Sequence, residues 1–174
     1  MIRRLVVLFA AVVASLVVAF PVFASAGTVT QTMHFTSQPL FAAALPCSVD
    51  AGLIVVSEDN GNGVLHFTAN SNGFWATGTY AGDVQILPAL SVTVDPTTGV
   101  VTSFVPDPSR PTAQGRVADW FGVSANRTNG VIHAAVNAMA TTSDGQSIAF
   151  HAIDHVQVSL PSFTITHQFS DFHC

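Results

Sequence analysis

The sequence predicts an all-β protein, and three features of the chain after its N-terminal segment support this class. β-Branched and aromatic residues recur in short runs, each ended by Gly, Pro, Asn or Asp. No stretch there shows the 3.6-residue apolar period of an amphipathic helix. Dipeptides typical of tight turns, such as Asn129-Gly130 and Asp144-Gly145, separate the runs. We therefore expect antiparallel strands joined mainly by short turns.

The N-terminal segment, Met1 to Ala26, predicts a signal peptide rather than a strand. Arg3 and Arg4 supply a positive start, Leu5 to Phe20 is almost wholly apolar, and Ala24 to Ala26 supplies a small-residue cleavage pattern. The apolar run is short for a membrane-spanning helix of about 20 residues, and no stop-transfer charges follow it. We expect cleavage after Ala26, secretion to the extracellular space and no transmembrane span in the mature chain. A retained N-terminal anchor is the alternative.

Turn signals divide residues 27–174, which we expect to form a single domain, into ten predicted strands. In order, they are Thr28 to Thr36, Val49 to Ser57, Gly63 to Asn70, Phe74 to Leu87, Leu90 to Asp95, Val100 to Val105, Gly115 to Ser124, Val131 to Thr141, Ser147 to Val158 and Phe163 to Phe172. Further turns are predicted at Asn60 to Gly63, Ser71 to Gly73 and Asp95 to Gly99. The Pro-rich piece from Pro106 to Pro111 is the one irregular linker.

Eight to ten antiparallel strands in one domain predict an up-and-down (lipocalin-like) β-barrel, with a two-sheet β-sandwich as the alternative. Two cysteines in an oxidising compartment have one intramolecular connectivity, so we expect a disulfide between Cys47 and Cys174. Cys47 follows the first predicted strand and Cys174 ends the last, so the bond would bring the ends of the sheet together. A barrel also pairs its first and last strands, and it is therefore the favoured architecture.

The net charge of the mature chain limits the classes of partner that it can bind. After the signal peptide the chain has three arginines, no lysine and ten acidic residues, a formal net charge of −7. Such a chain has no basic stripe to neutralise phosphates, so we expect no nucleic-acid partner and no attraction to anionic membranes. It also has no Gly-rich phosphate loop and no Gly-x-Ser-x-Gly elbow, and we expect no cofactor.

The predicted hairpin at Asp144-Gly145 can be assigned a register. If these two residues form the whole turn, Met139 faces Phe150 across the two strands. Extending the pairing through Asn129-Gly130 places Trp120 beside Met139, and a longer loop over Asn126 to Gly130 is the alternative. We expect these three side chains to line the barrel interior and contact a ligand.

Asp154 interrupts an otherwise apolar alternation, formed by Ile148, Phe150, Ala152, Val156 and Val158. In the same register, His133 lies diagonal to Asp154, and Asn137 lies on the other side of that carboxylate. Such diagonals are about 7–8 Å between Cα atoms, within reach of a His–Asp hydrogen bond. His133 is therefore a candidate general base oriented by Asp154. No nucleophile is identifiable beside the pair, and a structural polar cluster is the alternative.

The remaining chemistry-bearing residues give weaker signals. His151 and His155 have the spacing of a helical metal pair, but on a strand they would lie about 13 Å apart, so no metal site is expected. Phe74-Trp75 and Trp120-Phe121 are consecutive pairs, so one member of each must face the core.

Several segments resemble small exported proteins predicted from actinobacterial genomes that carry no named activity. They are Asn62 to Thr68, Trp75 to Gly82, Gly115 to Gly122, Ser143 to Gly145, and His151 to His155 before a terminal cysteine. The resemblance implies a secreted, disulfide-closed β domain. Relative to that pattern, Leu90 to Val105 forms an extra hairpin, and the resemblance supplies no catalytic residues.

Three functions remain open from the sequence. The leading hypothesis is a secreted, non-catalytic barrel that binds a small apolar ligand in its interior, since barrels of about eight strands can hold one ligand. The alternatives are an extracellular or cell-surface interaction protein and an enzyme that uses His133 with Asp154.

Overall fold

The computed structural model describes residues 28–44, 52–160, 162 and 164–173. Every regular element within these ranges is a β-strand. The nine strands are β1 (Val29–Phe35), β2 (Gln38–Ala44), β3 (Leu53–Asn70), β4 (Gly73–Val94), β5 (Val101–Pro106), β6 (Ala113–Asn126), β7 (Asn129–Thr142), β8 (Ser147–Ser159) and β9 (Thr164–His173). The all-β prediction is confirmed.

The strands form one antiparallel sheet with the order β1-β3-β4-β6-β7-β8-β9. The short strands β1 and β2 both lie along one edge of β3, where β2 pairs with its first part and β1 with its second. β5 pairs with the end of β4 that extends beyond β6. Within the described ranges, the edge formed by β1 and β2 does not pair with β9. The antiparallel sheet is as predicted, but the pairing that would close a barrel is not formed there.

β3 is one strand of 18 residues where the sequence predicted two strands and a turn. Asn60 has a φ of 51°, and the register with β4 shifts between Asp59 and Asn62. The amide of Gly61 donates to the carbonyl of Thr36 at 2.9 Å. The predicted turn at this Asn-Gly sequence is wrong, because the left-handed residue forms a β-bulge and the strand continues.

β4 also joins two predicted strands into one, over 22 residues. Its last part forms a hairpin with β5 around Asp95 to Gly99, as predicted for Leu90 to Val105. The carboxylate of Asp95 accepts hydrogen bonds from the amides of Thr97 and Thr98, which stabilises this turn. β2 was missed by the sequence analysis, because the alanines at its end give a weak strand signal.

Apolar clusters among the described residues lie on both faces of the sheet. One face, here called the inner face, carries the main cluster, built from β3, β4, β6 and β7 around Ile54, Val56, Val84, Val117 and Ala138. A smaller cluster on the same face includes Leu65 and Phe67. On the other side of β3 and β4, Ala42, Val55, Ala89 and Val101 form a third cluster beneath the β4–β5 hairpin. β3 is therefore buried on both faces near its start, and the side chain of Val55 is fully buried.

The β7–β8 hairpin differs from its predicted register by one residue. Met139 pairs with Ala149 rather than Phe150. The amide of Thr142 donates to the carbonyl of Gln146 at 2.8 Å, and Gly145 has a φ of 88°, so the loop contains three residues instead of two. Because successive residues on a strand alternate faces, this single shift places β8 on the opposite face relative to β7 from the one predicted.

The β6–β7 connection takes the longer of the two expected loops. Ala125 pairs with Gly130, and the loop is centred on Asn126 to Asn129 rather than on Asn129-Gly130. The Asn126 side chain accepts hydrogen bonds from the amides of Thr128 and Asn129, which favours this longer loop. Trp120 consequently pairs with Ala135 and not with Met139.

Several expectations fall on residues outside the described ranges. The predicted signal peptide and the two cysteines of the expected disulfide, Cys47 and Cys174, all lie there. In the part of the chain that the structure describes, no helix is long and apolar enough to cross a lipid bilayer.

Candidate functional site

The inner face of the sheet surrounds a partly enclosed cavity of about 70 Å³. Its lining comes from seven strands, β2, β3, β4, β6, β7, β8 and β9, so the sheet curls around it. Most lining side chains are apolar, among them Phe41, Ile54, Val117, Ala138, Phe150 and Phe172. Three are acidic, namely Glu58, Asp119 and Asp154. The cavity is therefore an apolar space with a small set of carboxyl groups.

Glu58 on β3 and Asp119 on β6 form a buried carboxyl pair. Their exposed fractions are 2% and 9%, and their side chains are hydrogen-bonded to each other. Gln38 of β2 donates from Nε2 to Glu58 Oε2 at 2.5 Å, and the same nitrogen lies 3.3 Å from Asp119 Oδ2. Two adjacent carboxyl groups in apolar surroundings cannot both be charged, because each loses its hydration and repels the other.

The pKa values of the two carboxyls are shifted apart. Burial, together with the neighbouring Asp119, raises the pKa of Glu58 to about 9. Burial also raises the pKa of Asp119 to about 6, opposed by hydrogen bonds from Glu58 and Gln38. At pH 7 the proton therefore lies on Glu58, which donates it in a hydrogen bond to the Asp119 carboxylate. The pair holds one negative charge in an otherwise apolar cavity.

Two buried oxygen atoms at this place have no hydrogen-bond partner among the described residues: Asp119 Oδ1 and Tyr80 Oη. Tyr80 and Asp119 pair directly across β4 and β6. The Tyr80 ring lies against Gly61 and Gly82, where any Cβ would overlap it. Buried polar atoms in folded proteins nearly always have a partner. Asp119 Oδ1 is therefore a buried acceptor without a partner among the described residues, on a side chain that lines the cavity.

Glu58 and Asp119 were missed by the sequence analysis, although a usable signal was present. Glu58 follows Ile54 and Val56 at alternate positions of β3, and Asp119 lies between Val117 and Phe121 on β6. Each acid interrupts an apolar face in the way that singled out Asp154. The signal was that each acid lies an even number of positions from its apolar neighbours, and therefore on the same face of the strand as they do.

Asp154 does lie on the inner face, together with Phe150 and Ala152, as the apolar alternation of β8 predicted. Its partner, however, comes from β9. Ser170 donates from Oγ to Asp154 Oδ1 at 2.5 Å. The cavity thus has a second carboxylate, separate from the Glu58–Asp119 pair and satisfied by a neighbouring strand.

The structure does not bring His133 and Asp154 together. His133 lies on the outer face, the face opposite the cavity, and its Nδ1 is 2.9 Å from Nδ1 of His155. Asn137 is also on the outer face, where its Oδ1 lies 2.6 Å from Nδ1 of His151. The one-residue difference in register explains all of these placements, because it exchanges the two faces of β8 relative to β7.

The three predicted ligand contacts are divided between the two faces. Phe150 lines the cavity. Trp120 and Met139 are exposed on the outer face, Met139 to 72%. The expectation that all three line one interior is therefore corrected, because only Phe150 lines the cavity.

The two consecutive aromatic pairs behave as predicted. Phe74 and Phe121 pack against Leu65, Phe67, Ala76 and Val123 on the inner face. Trp75 and Trp120 are exposed. One member of each pair thus belongs to the core, as alternation along a strand requires.

No group of three or more His, Cys, Asp and Glu side chains within the described ranges is arranged to hold a metal ion. His151 and His155 are each engaged with a different β7 residue, as their spacing along one strand predicts. Comparison of the chain with protein-family models, curated proteins and solved structures finds no match.

Proposed function

We propose that the protein binds a small, mostly apolar molecule in the inner cavity, and that this molecule donates a hydrogen bond to Asp119. The observation that carries the proposal is the buried carboxyl pair, whose Asp119 Oδ1 has no partner among the described residues. A buried acceptor without a partner costs about 1–3 kcal/mol. A hydroxyl or ammonium group on a ligand would recover that free energy.

The size of the cavity limits the ligand. Binding sites for drug-sized molecules usually measure about 300–1,000 Å³, and a cavity of about 150 Å³ can hold benzene. The inner cavity measures about 70 Å³. It therefore suits a few non-hydrogen atoms, either a whole small molecule or the end of a longer one. Short alkyl alcohols and amines combine this size with a hydrogen-bond donor.

A barrel-like closure of the sheet is part of the same proposal. Phe41 of β2 and Phe172 of β9 come from opposite edges of the sheet and line the same cavity. This supports a curled barrel over a two-sheet sandwich, because the edges must approach each other to share one cavity. A Cys47–Cys174 disulfide would hold these edges together.

We also propose that the chain is exported and processed, since Met1 to Ala26 has the pattern of a signal peptide. Mass spectrometry of protein purified from culture medium tests this. We expect an N-terminus at Gly27 and an unreduced mass lower than the reduced mass by two hydrogens. An intact leader or an unchanged mass would contradict export with disulfide formation. Extra mass under native conditions would identify a co-purified ligand.

The ligand proposal is tested by thermal unfolding with added propanol or propylamine. We expect a rise in Tm with concentration, because a ligand that binds only the folded state stabilises it by RT ln(1 + [L]/Kd). Ala152→Phe, which fills the cavity, should abolish the rise. Ala149→Phe is the matched control, since Ala149 is exposed on the outer face of the same strand. An equal response of both variants would refute binding in the cavity.

A second candidate function is proton-transfer catalysis on the bound molecule. Its supporting observation is that Glu58 and Asp119 have pKa values shifted apart, as in paired acid and base groups of enzymes. Glu58 would donate a proton and Asp119 would accept one. Solvent deuterium incorporation into a bound ligand, lost in Glu58→Gln, would favour catalysis over binding alone.

A further inference from the structure

We propose that His133 and His155 form a surface site for a tetragonal divalent cation, Cu²⁺ or Ni²⁺. The two residues pair directly across β7 and β8 on the outer face. The site lies on the face opposite the cavity, and the proposal does not depend on the proposed ligand function. Neither His133 nor His155 lines the inner cavity.

The two strands hold the imidazoles close together. Nδ1 of His133 and Nδ1 of His155 are 2.9 Å apart, and the ring centroids are 4.2 Å apart. Both rings are accessible from solvent. Directly opposed residues on antiparallel strands keep a fixed separation, so little side-chain entropy is lost when one ion contacts both nitrogens.

The short spacing of the nitrogens suits adjacent ligand positions on one ion. The 2.9 Å between them is the length of a hydrogen bond, and both rings must turn so that their lone pairs face an ion that replaces its proton. With metal–imidazole bonds of about 2.0–2.1 Å, the nitrogens would lie about 2.9 Å apart at the angle of about 90° in a square-planar or tetragonal ion. They would lie about 3.3–3.4 Å apart on a tetrahedral ion such as Zn²⁺, so the tetragonal ion requires the smaller movement of the rings. Imidazole ligands with tetragonal geometry are typical of Cu²⁺ and Ni²⁺.

The protonation state of the pair is compatible with binding. The hydrogen bond between the two Nδ1 atoms requires that one of them carry no proton. In the metal-free pair one Nδ1–H donates to the other Nδ1. When an ion binds, that proton moves through solvent to Nε2 of the same ring, and both Nδ1 lone pairs face the ion. The remaining coordination positions would be filled by water, since no third ligand is in place among the described residues.

Trp120 supplies a built-in reporter for this site. Its ring lies 6.4 Å from the His133 ring, close enough for bound Cu²⁺ to quench its fluorescence. Titration of the untagged protein with CuCl₂ at pH 7.5 should show saturable quenching by one ion per chain. Electron paramagnetic resonance should show a tetragonal Cu²⁺ signal with nitrogen coupling.

Three variants test which residues bind the ion. His133→Ala and His155→Ala should each weaken Cu²⁺ binding at least tenfold, and the double variant should be little weaker than either single variant. His66→Ala is the matched control: it is another outer-face histidine, paired with Thr32 at 2.9 Å, and it should bind Cu²⁺ like the wild type. Thermal unfolding without metal should be the same for all variants.

Two outcomes would overturn the proposal. Unchanged Cu²⁺ affinity in both His133→Ala and His155→Ala would place the ion elsewhere. Tighter binding of Zn²⁺ than of Ni²⁺ by the wild type would show that the pair opens to a tetrahedral angle, and would contradict the geometric assignment. Neither outcome bears on the inner cavity, whose ligand is tested separately.

Discussion

At the scale of single residues, environment determines whether a carboxyl group is charged. Asp83 lies on the solvent side of β4, where Arg116 donates to it at 2.6 Å and lowers its pKa. Glu58 has no cationic partner among the described residues, and burial raises its pKa instead. The same chemical group is thus anionic at Asp83 on the outer face and protonated at Glu58 on the inner face.

Glu58 should make the folded state less stable as the pH rises. Its folded pKa of about 9 exceeds its usual 4.5, so the folded state holds one more proton than the unfolded state between these values. The free energy of unfolding should therefore fall with a slope of up to ~1.4 kcal/mol per pH unit as the pH approaches 9. Urea unfolding at pH 7, 8 and 9 measures this.

Glu58→Gln removes the titrating group and keeps the amide contact with Gln38, so its stability should be nearly flat over the same pH range. Asp83→Asn is the control, because the pKa of Asp83 is lowered and this group does not titrate there. Parallel pH profiles for wild type and Glu58→Gln would show that Glu58 is not protonated in the folded protein.

At the scale of elements, short loops determine which residues share a face. The β7–β8 loop contains one residue more than the Asp144-Gly145 dipeptide suggested, and that residue exchanged the faces of the predicted site. Asn126, by accepting amide hydrogen bonds, stabilises the longer β6–β7 loop, which pairs Trp120 with Ala135 and leaves Trp120 and Met139 on one face as predicted. Strand positions were easier to predict than register, because register depends on loop geometry that the dipeptide alone does not specify.

Gly145→Ala should destabilise the protein by about 1–2 kcal/mol, because an L-residue with a Cβ disfavours the left-handed conformation. Gly145 has a φ of 88°, and an added Cβ would meet nothing within 4 Å, so the effect isolates backbone strain. Gly145→Asn should lower the free energy of unfolding by less than Gly145→Ala does, since Asn adopts the left-handed conformation more readily than Ala. Equal stability of wild type and Gly145→Ala in urea unfolding would contradict the three-residue loop.

The linker between β5 and β6 is held by Arg110. Its Nη2 donates to the carbonyls of Leu53 and Ala89 at 2.8 and 3.0 Å, and its Nε donates to Asp107 at 2.8 Å. Gly52 lies so close to the guanidinium that a Cβ there would overlap it. Hydrogen bonds from Ser109 and Arg110 lower the pKa of Asp107 to about 2. One side chain thus ties the linker to β3 and β4.

Arg110→Ala should lower the free energy of unfolding by about 1–3 kcal/mol, because it leaves main-chain carbonyls without their donor. Arg116→Ala is the control, since its ion pair with Asp83 is solvent-exposed and such pairs contribute little. Chemical denaturation compares the two. Equal losses would mean that the carbonyl contacts of Arg110 do not stabilise the fold.

At the scale of the whole molecule, β3 and β4 connect the main cluster of the inner face with the cluster beneath the β4–β5 hairpin. Val55 belongs to the cluster under the β4–β5 hairpin, and its neighbour Val56 belongs to the inner cluster. Both clusters therefore depend on the same two strands. Disrupting the packing of either cluster should therefore destabilise the other. We expect the protein to unfold as one cooperative unit.

Val55→Ala and Val56→Ala should each cost about 2 kcal/mol, since each removes buried methyl groups and leaves a cavity. In both variants the transitions measured by circular dichroism and by fluorescence of Trp75 and Trp120 should coincide. A separate early transition in Val55→Ala alone would show that the hairpin cluster unfolds independently of the inner face.

By itself, the sequence determined the all-β class, most strand positions, the β4–β5 hairpin and the alternation that buries Phe74 and Phe121. These properties follow from local chemistry: side-chain branching, turn residues and the two-residue period of a strand. Only the tertiary structure decided the register of β7 against β8, and hence that His133 meets His155 while Asp154 meets Ser170. It also brought Glu58 and Asp119, which are 61 positions apart in the chain, to one hydrogen-bonded pair. Such pairings depend on how loops and distant strands align, and that alignment is set by packing over the whole sheet.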